Sequence, residues 1–278
     1  MLPFVLTAVT MLAFAANSVL CRLALGDAAI DPYAFTAVRL GAGAITLLLL
    51  TSLKKGDKSE RKQSWRGAGY LVLYALPFSL AYVRIDTGTG ALLLFGAVQL
   101  TMIGLGLRSG ERPTVLEWLG LLGAASGVVY LVSPGASAPD PVGAGLMVVS
   151  GIGWGLYSIA GKGADNPALV TATNFRRAAL VVVPATALAW GQLSLSTSGI
   201  LLATASGALA SGLGYTIWYS ALKYLSATRA ALVQLSVPAI AAAGGVVFVA
   251  EEITLRLAIS SSIILGSIAL GTISRTKR

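Results

Sequence analysis

Histidine is absent from this chain and cysteine occurs once, at Cys21, so it holds neither an internal disulfide nor a His/Cys cluster for metal. Charge is scarce as well. Only 11% of the 278 residues are charged, against about 25% in an ordinary soluble domain. With 56% hydrophobic residues and a mean hydropathy of +0.80, the solvent this chain is written for is lipid. Carboxylates are missing from the middle of every apolar run: Asp27, Asp31, Asp57, Glu60, Asp86, Glu111, Glu117, Asp140, Asp165, Glu251 and Glu252 fall in loops or near run ends. Proton-coupled exporters commonly carry a buried Asp, Glu or His whose proton affinity is raised by desolvation. The expectation is therefore a facilitator driven by the solute's own gradient, or coupling through a peripheral acid such as Asp86 or Glu117. The alternation of polar and apolar residues that marks a membrane β-barrel is missing too, which leaves helices.

What is present is length in apolar runs. A hydrocarbon core about 30 Å thick takes about 20 residues per helix, giving room for around ten spans with short loops. The runs predict spans over Pro3 to Leu25, Tyr33 to Leu53, Trp65 to Arg84, Gly88 to Arg108 and Thr114 to Val132, then Val142 to Gly163, Leu169 to Trp190, Ile200 to Leu222, Thr228 to Ala250 and Leu255 to Ile273. Between the two sets, residues 133–141 are rich in Pro, Ala and Ser and read as a linker. The first run lacks the basic flank of a signal peptide, and Leu20 before Cys21 argues against lipidation.

A net charge of +9 raises nucleic acid as a partner, but the basic residues sit in short loops rather than on one soluble face. Membrane topology accounts for them instead. With the N-terminus inside, Lys54, Lys55, Lys58, Arg61, Lys62, Arg66, Arg108, Arg112, Lys162, Lys223, Arg229, Arg275, Lys277 and Arg278 gather on one side, which predicts both termini in the cytoplasm.

The chain is also written twice. Thr89, Ala91 and Leu93 lead through an apolar run to Gly110-Glu111 and Thr114; Thr228, Ala230 and Leu232 lead to Ala250-Glu251 and Thr254. The offset is about 139 to 140 positions, half the chain. Because each copy holds an odd number of spans, the second is expected upside down relative to the first. The division expected is 1–132, a linker over 133–141, and 142–278. Small residues spaced by four (Gly106 and Gly110, Gly123 and Gly127, Gly151 and Gly155, Gly207 and Ser211) predict helix packing seams.

Candidate functional residues are the polar and amphipathic aromatic groups at mid-span, which would be costly facing lipid. Tyr70, Tyr74, Phe78 and Tyr82 recur every four positions in the third run, and Tyr215, Trp218 and Tyr219 share a face in the eighth. Phe14 with Asn17, Trp154 with Tyr157, and Phe95 with Gln99 do the same, and the repeat offset matches Phe95 and Gln99 to Gln234 and Pro238. Asn17, Tyr74, Phe78, Tyr82, Phe95, Gln99, Trp154, Tyr157, Tyr215, Trp218 and Gln234 are the expected substrate contacts. Aromatic walls with a few amides suit a flat, partly apolar solute. Tyr70 and Tyr82, nearest the ends of their run, also fit interfacial anchors. Arg39 and the Arg176-Arg177 pair lie about two turns into their spans. They could meet a substrate carboxylate, but snorkelling or bonds to helix-terminal carbonyls suit them better. Pro77, Pro184 and Pro238 could break helices and free backbone groups for a ligand, or only kink them.

The paired stretches Asp86-Thr87-Gly88-Thr89-Gly90-Ala91-Leu92 to Gly110-Glu111-Arg112, and Ala221-Leu222-Lys223-Tyr224-Leu225-Ser226-Ala227 to Ala250-Glu251-Glu252, resemble the EamA family of the drug/metabolite transporter superfamily. The resemblance implies an all-α integral membrane protein of ten transmembrane helices, built as two inverted five-helix repeats, with spans 1, 3, 4, 6, 8 and 9 around a central cavity. Within that family the chain is similar to YddG-type exporters, which implies export of aromatic and other neutral amino acids across the bacterial inner membrane by alternating access. Gln99 departs from the family pattern, which often has a proline there, as the second copy has at Pro238. No cofactor or metal is expected, and the partners are the small-molecule substrate and the bilayer; the sequence does not set the oligomeric state, and a monomer is plausible. Another solute remains open: a drug, a sugar derivative, or a phosphorylated sugar, for which more cavity Lys and Arg would be required. A membrane enzyme is disfavoured, since no nucleophile, base and metal come together at mid-depth. A purely structural protein would have little use for the aromatic and amide faces.

Overall fold

The computed structural model describes residues 2–52, 64–108, 115–135, 137–161, 164, 166–188, 193–222, 224, 233–234 and 236–276. Among them the regular structure is helical, and extended backbone pairs only in an isolated bridge between Ile30 and Leu195. The first five helices are α1 (Leu2–Gly26), α2 (Pro32–Ser52), α3 (Arg66–Tyr82), α4 (Thr87–Arg108) and α5 (Val115–Val132). The second set is α6 (Pro141–Gly161), α7 (Pro167–Ala187), α8 (Thr197–Ala205), a π-helical segment (Ser206–Leu213), α9 (Gly214–Leu222), α10 (Ser236–Val249) and α11 (Leu255–Thr276). Since Ser206 and Gly214 keep right-handed helical dihedrals, α8, the π segment and α9 form one rod. Ten rods result. The basic loop 54–62, the stretch Gly110-Glu111-Arg112 and Ser226-Ala227-Thr228 lie outside the described residues.

Among the described residues, five helices are long and apolar enough to cross a membrane: Phe4–Gly26, Pro32–Ser52, Thr87–Leu105, Pro141–Gly161 and Thr197–Ala221. The others fall short of ten full spans for particular reasons. Helix α3 has 17 residues, α7 carries Asn174, Arg176 and Arg177, and the ninth expected span is described as a continuous helix only from Ser236. Several helices start earlier than apolarity alone predicts, because caps set their starts. The Asp140 carboxylate accepts from Gly143 N at 2.7 Å at the head of α6, Asn166 Oδ1 from Leu169 N at 3.2 Å at α7, and Ser196 Oγ from Gly199 N at 3.0 Å at α8. The prolines end no helix: Pro77 and Pro184 lie inside α3 and α7, and Pro238 sits in the first turn of α10. The irregularity falls instead at the π segment, a form that in membrane and soluble helices alike tends to mark functional positions.

The surface is inside out relative to a soluble protein. Phe4, Ile45, Leu49, Leu122, Val247 and Phe248 are exposed, while Asn17, Arg39, Gln99, Asn174 and Gln234 are buried. Some hydroxyls within the spans return to their own helix, as Thr10 does to Leu6 O at 2.8 Å and Thr101 to Ala97 O at 2.8 Å, which satisfies them where water is missing. Packing sorts the helices without regard to sequence order. Helix α3 and α4 lie against α6, whereas α1 lies against α9, the π segment and α10; α2 packs on α7 and the π segment, and α5 on α11. Small residues permit these seams. A Cβ added at Gly151 would come within 2.5 Å of Leu94 O, and one at Gly127 within 2.6 Å of Ile264.

Candidate functional site

Between the group α3, α4, α6 and the pair α1, α9 lies a small cavity of about 20 Å³, room for roughly one water. Its wall is Phe14, Asn17 and Ser18 of α1, Tyr74 and Phe78 of α3, Leu94 and Phe95 of α4, Trp154 of α6 and Tyr215 of α9. Helical spacing puts these on single faces: Phe14 and Asn17 are three apart, Tyr74 and Phe78 four apart. The rings interlock, edge to face around Phe14 and tilted around Trp154. Phe14 meets Trp154 at 5.6 Å and Tyr215 at 5.9 Å between centroids, and Trp154 meets Tyr74 at 5.1 Å and Tyr215 at 4.7 Å.

All eleven residues selected from the sequence are buried, and six reach the cavity wall: Asn17, Tyr74, Phe78, Phe95, Trp154 and Tyr215. Three stand directly behind it. Tyr157 stacks on Trp154 at 5.6 Å, Trp218 meets Phe14 at 5.7 Å, and Tyr82 meets Phe78 at 4.8 Å. Gln99 and Gln234 are buried but off the wall, and Gln99 Nε2 has no hydrogen-bond partner among the described residues. Tyr82 is not an interfacial anchor. It is fully buried, and its hydroxyl donates to Thr87 O at 3.4 Å.

The polar framework behind the rings was the part that spacing did not reveal. Asn17 Nδ2 donates to Tyr74 Oη at 3.1 Å while its Oδ1 accepts from Ser206 Oγ at 2.6 Å. Arg39 does not snorkel. It is 1% exposed; its Nε donates to Ser211 Oγ at 3.2 Å, and its Nη2 to Tyr74 Oη at 2.9 Å and Tyr215 Oη at 3.3 Å. The guanidinium carbon lies 5.0 Å from the ring centroids of both Tyr74 and Phe78. Ser206 and Ser211 both come from the π segment, so that irregular turn supplies partners to α1 and α2 at once. Arg177, by contrast, behaves as expected, donating to Ser64 O at 3.1 Å beside the Trp65 ring. Asn17→Ala removes two interhelical hydrogen bonds and leaves their partners buried. The expected result is a loss of about 1–2 kcal/mol, read as a lower apparent Tm of the purified protein in detergent.

At the end of the bundle that holds the C-termini of α1, α3 and α10 lies a second cluster. Helix α10 stops where Ala250 turns left-handed, at φ 58°, and Glu251 N donates back to Gly245 O at 3.1 Å. That turn aims the Glu251 carboxylate at the start of α4, where Thr87 N and Thr87 Oγ1 donate to it at 2.9–3.0 Å. Arg22 of α1 joins them. Its Nε donates to Glu251 Oε1 at 3.1 Å, its Nη1 to Tyr82 O at 3.0 Å, and its Nη2 approaches exposed Asp86 at 3.5 Å. Glu251 thus caps a helix in trans, where the dipole favours an anion.

An apolar exterior, ten helical rods and an aromatic and polar cavity where two helix groups meet are the features of a membrane carrier for small solutes. The chain belongs to the EamA-like transporter family, which it matches twice, over residues 1–133 and 141–273. It is a multi-pass membrane protein. It is 49% identical over 265 residues to a Pseudomonas aeruginosa protein of uncharacterized function, covering 95% of this chain and 92% of that one. It is 29% identical over 189 residues to the threonine/homoserine exporter RhtA of Escherichia coli K12, covering 66% of this chain and 59% of RhtA. A transporter of Archaeoglobus fulgidus is 26% identical over 200 residues, 69% of this chain and 70% of its own. A solved crystal structure superposes with a TM-score of 0.66 at 19% identity, covering 97% of both chains, which establishes the shared fold.

Proposed function

We propose that this protein exports amino acids, aromatic and other neutral ones, by facilitated alternating access through the central cavity, in the manner of the YddG-type exporters that it resembles. The observation that carries the reading is the cavity itself: stackable rings on every side with an amide and two phenols among them, in a chain of a transporter family. RhtA, an amino-acid exporter by name, supports the solute class. The substrate would stack between Phe14, Trp154 and Tyr215, with Tyr74, Phe78 and Phe95 closing the other side and Asn17 at its polar end. Tyr82, Tyr157, Trp218, Gln99 and Gln234 would hold these in place. As the cavity is no larger than a water, entry of any solute requires the two helix groups to part.

Inverted symmetry supports how they part. Under the repeat offset α1 corresponds to α6, the rod α8 to α9 to α3, and α10 to α4, so the two cavity groups exchange with each other while α5 and α11 pair with their own counterparts. The bodies that rock are then α1, the eighth rod and α10 against α3, α4 and α6, rather than residues 1–132 against 142–278. The Glu251, Arg22 and Thr87 cluster bridges these two bodies and would serve as the gate at its end, which the distribution of Lys and Arg assigns to the outside of a bacterial inner membrane, with both termini cytoplasmic. Asp86 is largely exposed and suits a proton carrier poorly, which favours an uncoupled cycle; the Glu117 side chain lies outside the described residues.

Uptake of radiolabelled tryptophan and threonine into proteoliposomes, with and without a pH gradient, tests this. Saturable uptake of either, indifferent to the gradient, is expected, with Gln99→Ala lowering the rate by about threefold through loosened support of α4. No uptake of either would sink the amino-acid reading. Uptake that follows the pH gradient would instead sink the facilitative one.

A further inference from the structure

We infer that Arg39, with the hydroxyls of Tyr74 and Tyr215, forms the subsite that recognises a carboxylate on the transported solute, and that the protein discriminates against cations lacking one. The inference rests on the reading of the central cavity as the transport site.

Three observations carry it. The first is charge: a guanidinium is always protonated, Arg39 is 1% exposed, and the ion pairs among the described residues run Arg22 to Asp86, Arg22 to Glu251 and Arg84 to Asp140, leaving Arg39 without an acidic partner. A buried charge with no counterion is costly, and the two neighbouring ring faces offset only part of that. The second is donor count. Arg39 Nη1 is buried with no hydrogen-bond partner among the described residues. Tyr74 Oη already accepts from both Asn17 and Arg39, so what it has left is its hydrogen. The third is position, for Tyr74 and Tyr215 both line the cavity and both touch Arg39. An unneutralised cation with an unused buried donor, bonded to two phenols of the cavity wall, matches an acceptor-only anion. A carboxylate is the group of that kind on an amino acid. Among the described residues no acid lines the wall to take an ammonium, so the amine would rest on ring faces and contribute less.

The test uses the full-length protein in proteoliposomes, with competition for tryptophan uptake and thermal stabilisation as parallel readouts. The probes are tryptophan, indole-3-propionate, which keeps the carboxylate without the amine, tryptamine, which keeps the amine alone, and the pair threonine and threoninol. Carboxylate-bearing probes are expected to compete and stabilise at concentrations about tenfold lower than their carboxylate-free partners. Arg39→Gln should shrink that gap below about threefold, raising KM for tryptophan by tenfold or more. Should Arg39→Gln fail to fold, Tyr215→Phe keeps the ring and removes the donor, and is expected to weaken tryptophan and indole-3-propionate alike while tryptamine is unmoved. Stabilisation by indole-3-propionate without any by tryptophan or threonine would refute the amino-acid reading and leave the carboxylate subsite standing. Equal competition by tryptamine and tryptophan, unchanged discrimination in the folded variants, or no stabilisation by any carboxylate in the panel would overturn it.

Discussion

Glu251→Ala is expected to leave the protein standing open at the Arg22 end and to lower transport about tenfold or more. In the closed arrangement this one carboxylate takes hydrogen bonds from Arg22, from the Thr87 amide and from the Thr87 hydroxyl, and its side chain is only 10% exposed. Hydrogen bonds to a charged group contribute about 1.5–3 kcal/mol each when shielded from water. Losing them together, discounted for the partial exposure of Arg22, costs the closed state about 3 kcal/mol, roughly a hundredfold in population. The Asp86 contact, largely exposed at 3.5 Å, does little to replace them. A cysteine at Ser18, on the cavity wall, in a Cys21→Ser background reports the change through labelling by a membrane-impermeant maleimide. Labelling in the Glu251→Ala protein should rise about tenfold, and Glu251→Gln, which keeps an acceptor for the Thr87 amide, should fall between. Unaltered labelling with full transport would mean that the cluster is a helix cap and no gate.

Gly207→Val is expected to be the most damaging substitution to the fold itself. Position 207 lies in the π segment, against α2, and an added Cβ there would fall on the backbone carbonyl of Arg39. A side chain can rotate away from such an intrusion; a helical carbonyl cannot. Either α2 or the eighth rod must move, at a cost of about 3 kcal/mol, the upper part of the range for overpacking. Arg39 and Ser211 would be carried out of register as well. Thermal unfolding in detergent and the monodisperse fraction after purification measure the effect. Gly69, where an added Cβ meets nothing within 4 Å, provides the contrast: Gly69→Ala should change the apparent Tm by less than about a degree or two. Similar losses at both positions would mean that the close approach at Gly207 does not govern stability.

Much of this could be read from the chain because lipid leaves few options. Continuous apolar runs mean helices, rings every three or four positions mean a shared face, and a pattern recurring at a fixed offset means related halves. Asn17, Tyr74, Phe78, Phe95, Trp154 and Tyr215 were found that way and lie on the cavity wall. Arg39 was misjudged because its depth along α2 said nothing of its direction, and only the tertiary approach of Tyr74, Ser211 and Tyr215 gives it an interior environment. The π segment left no usable signal either. Ser206-Gly207-Ala208-Leu209-Ala210-Ser211 reads as a small-residue packing stripe, and nothing in that pattern marks the wider turn that packs on α2. Gln99 and Gln234 were chosen as amides in mid-membrane, a sound reason to expect burial but not to expect the cavity wall. Helix starts were missed where Asp140, Asn166 and Ser196 cap them, a signal that was legible in the sequence and went unused.

The grouping of α1 with α9, the π segment and α10 has a consequence for how the chain is made. Helix α1 is made well before Ser206 and Glu251, the partners of Asn17 and Arg22 that follow 189 and 229 residues later. At about 5–20 residues per second, the nascent α1 waits roughly ten to forty seconds in the insertion machinery or the bilayer with an amide and a guanidinium lacking those late partners. An early polar helix must therefore be tolerated until Glu251 has been made, and a nascent chain stalled before residue 200 should be recognised as unfinished by membrane quality control.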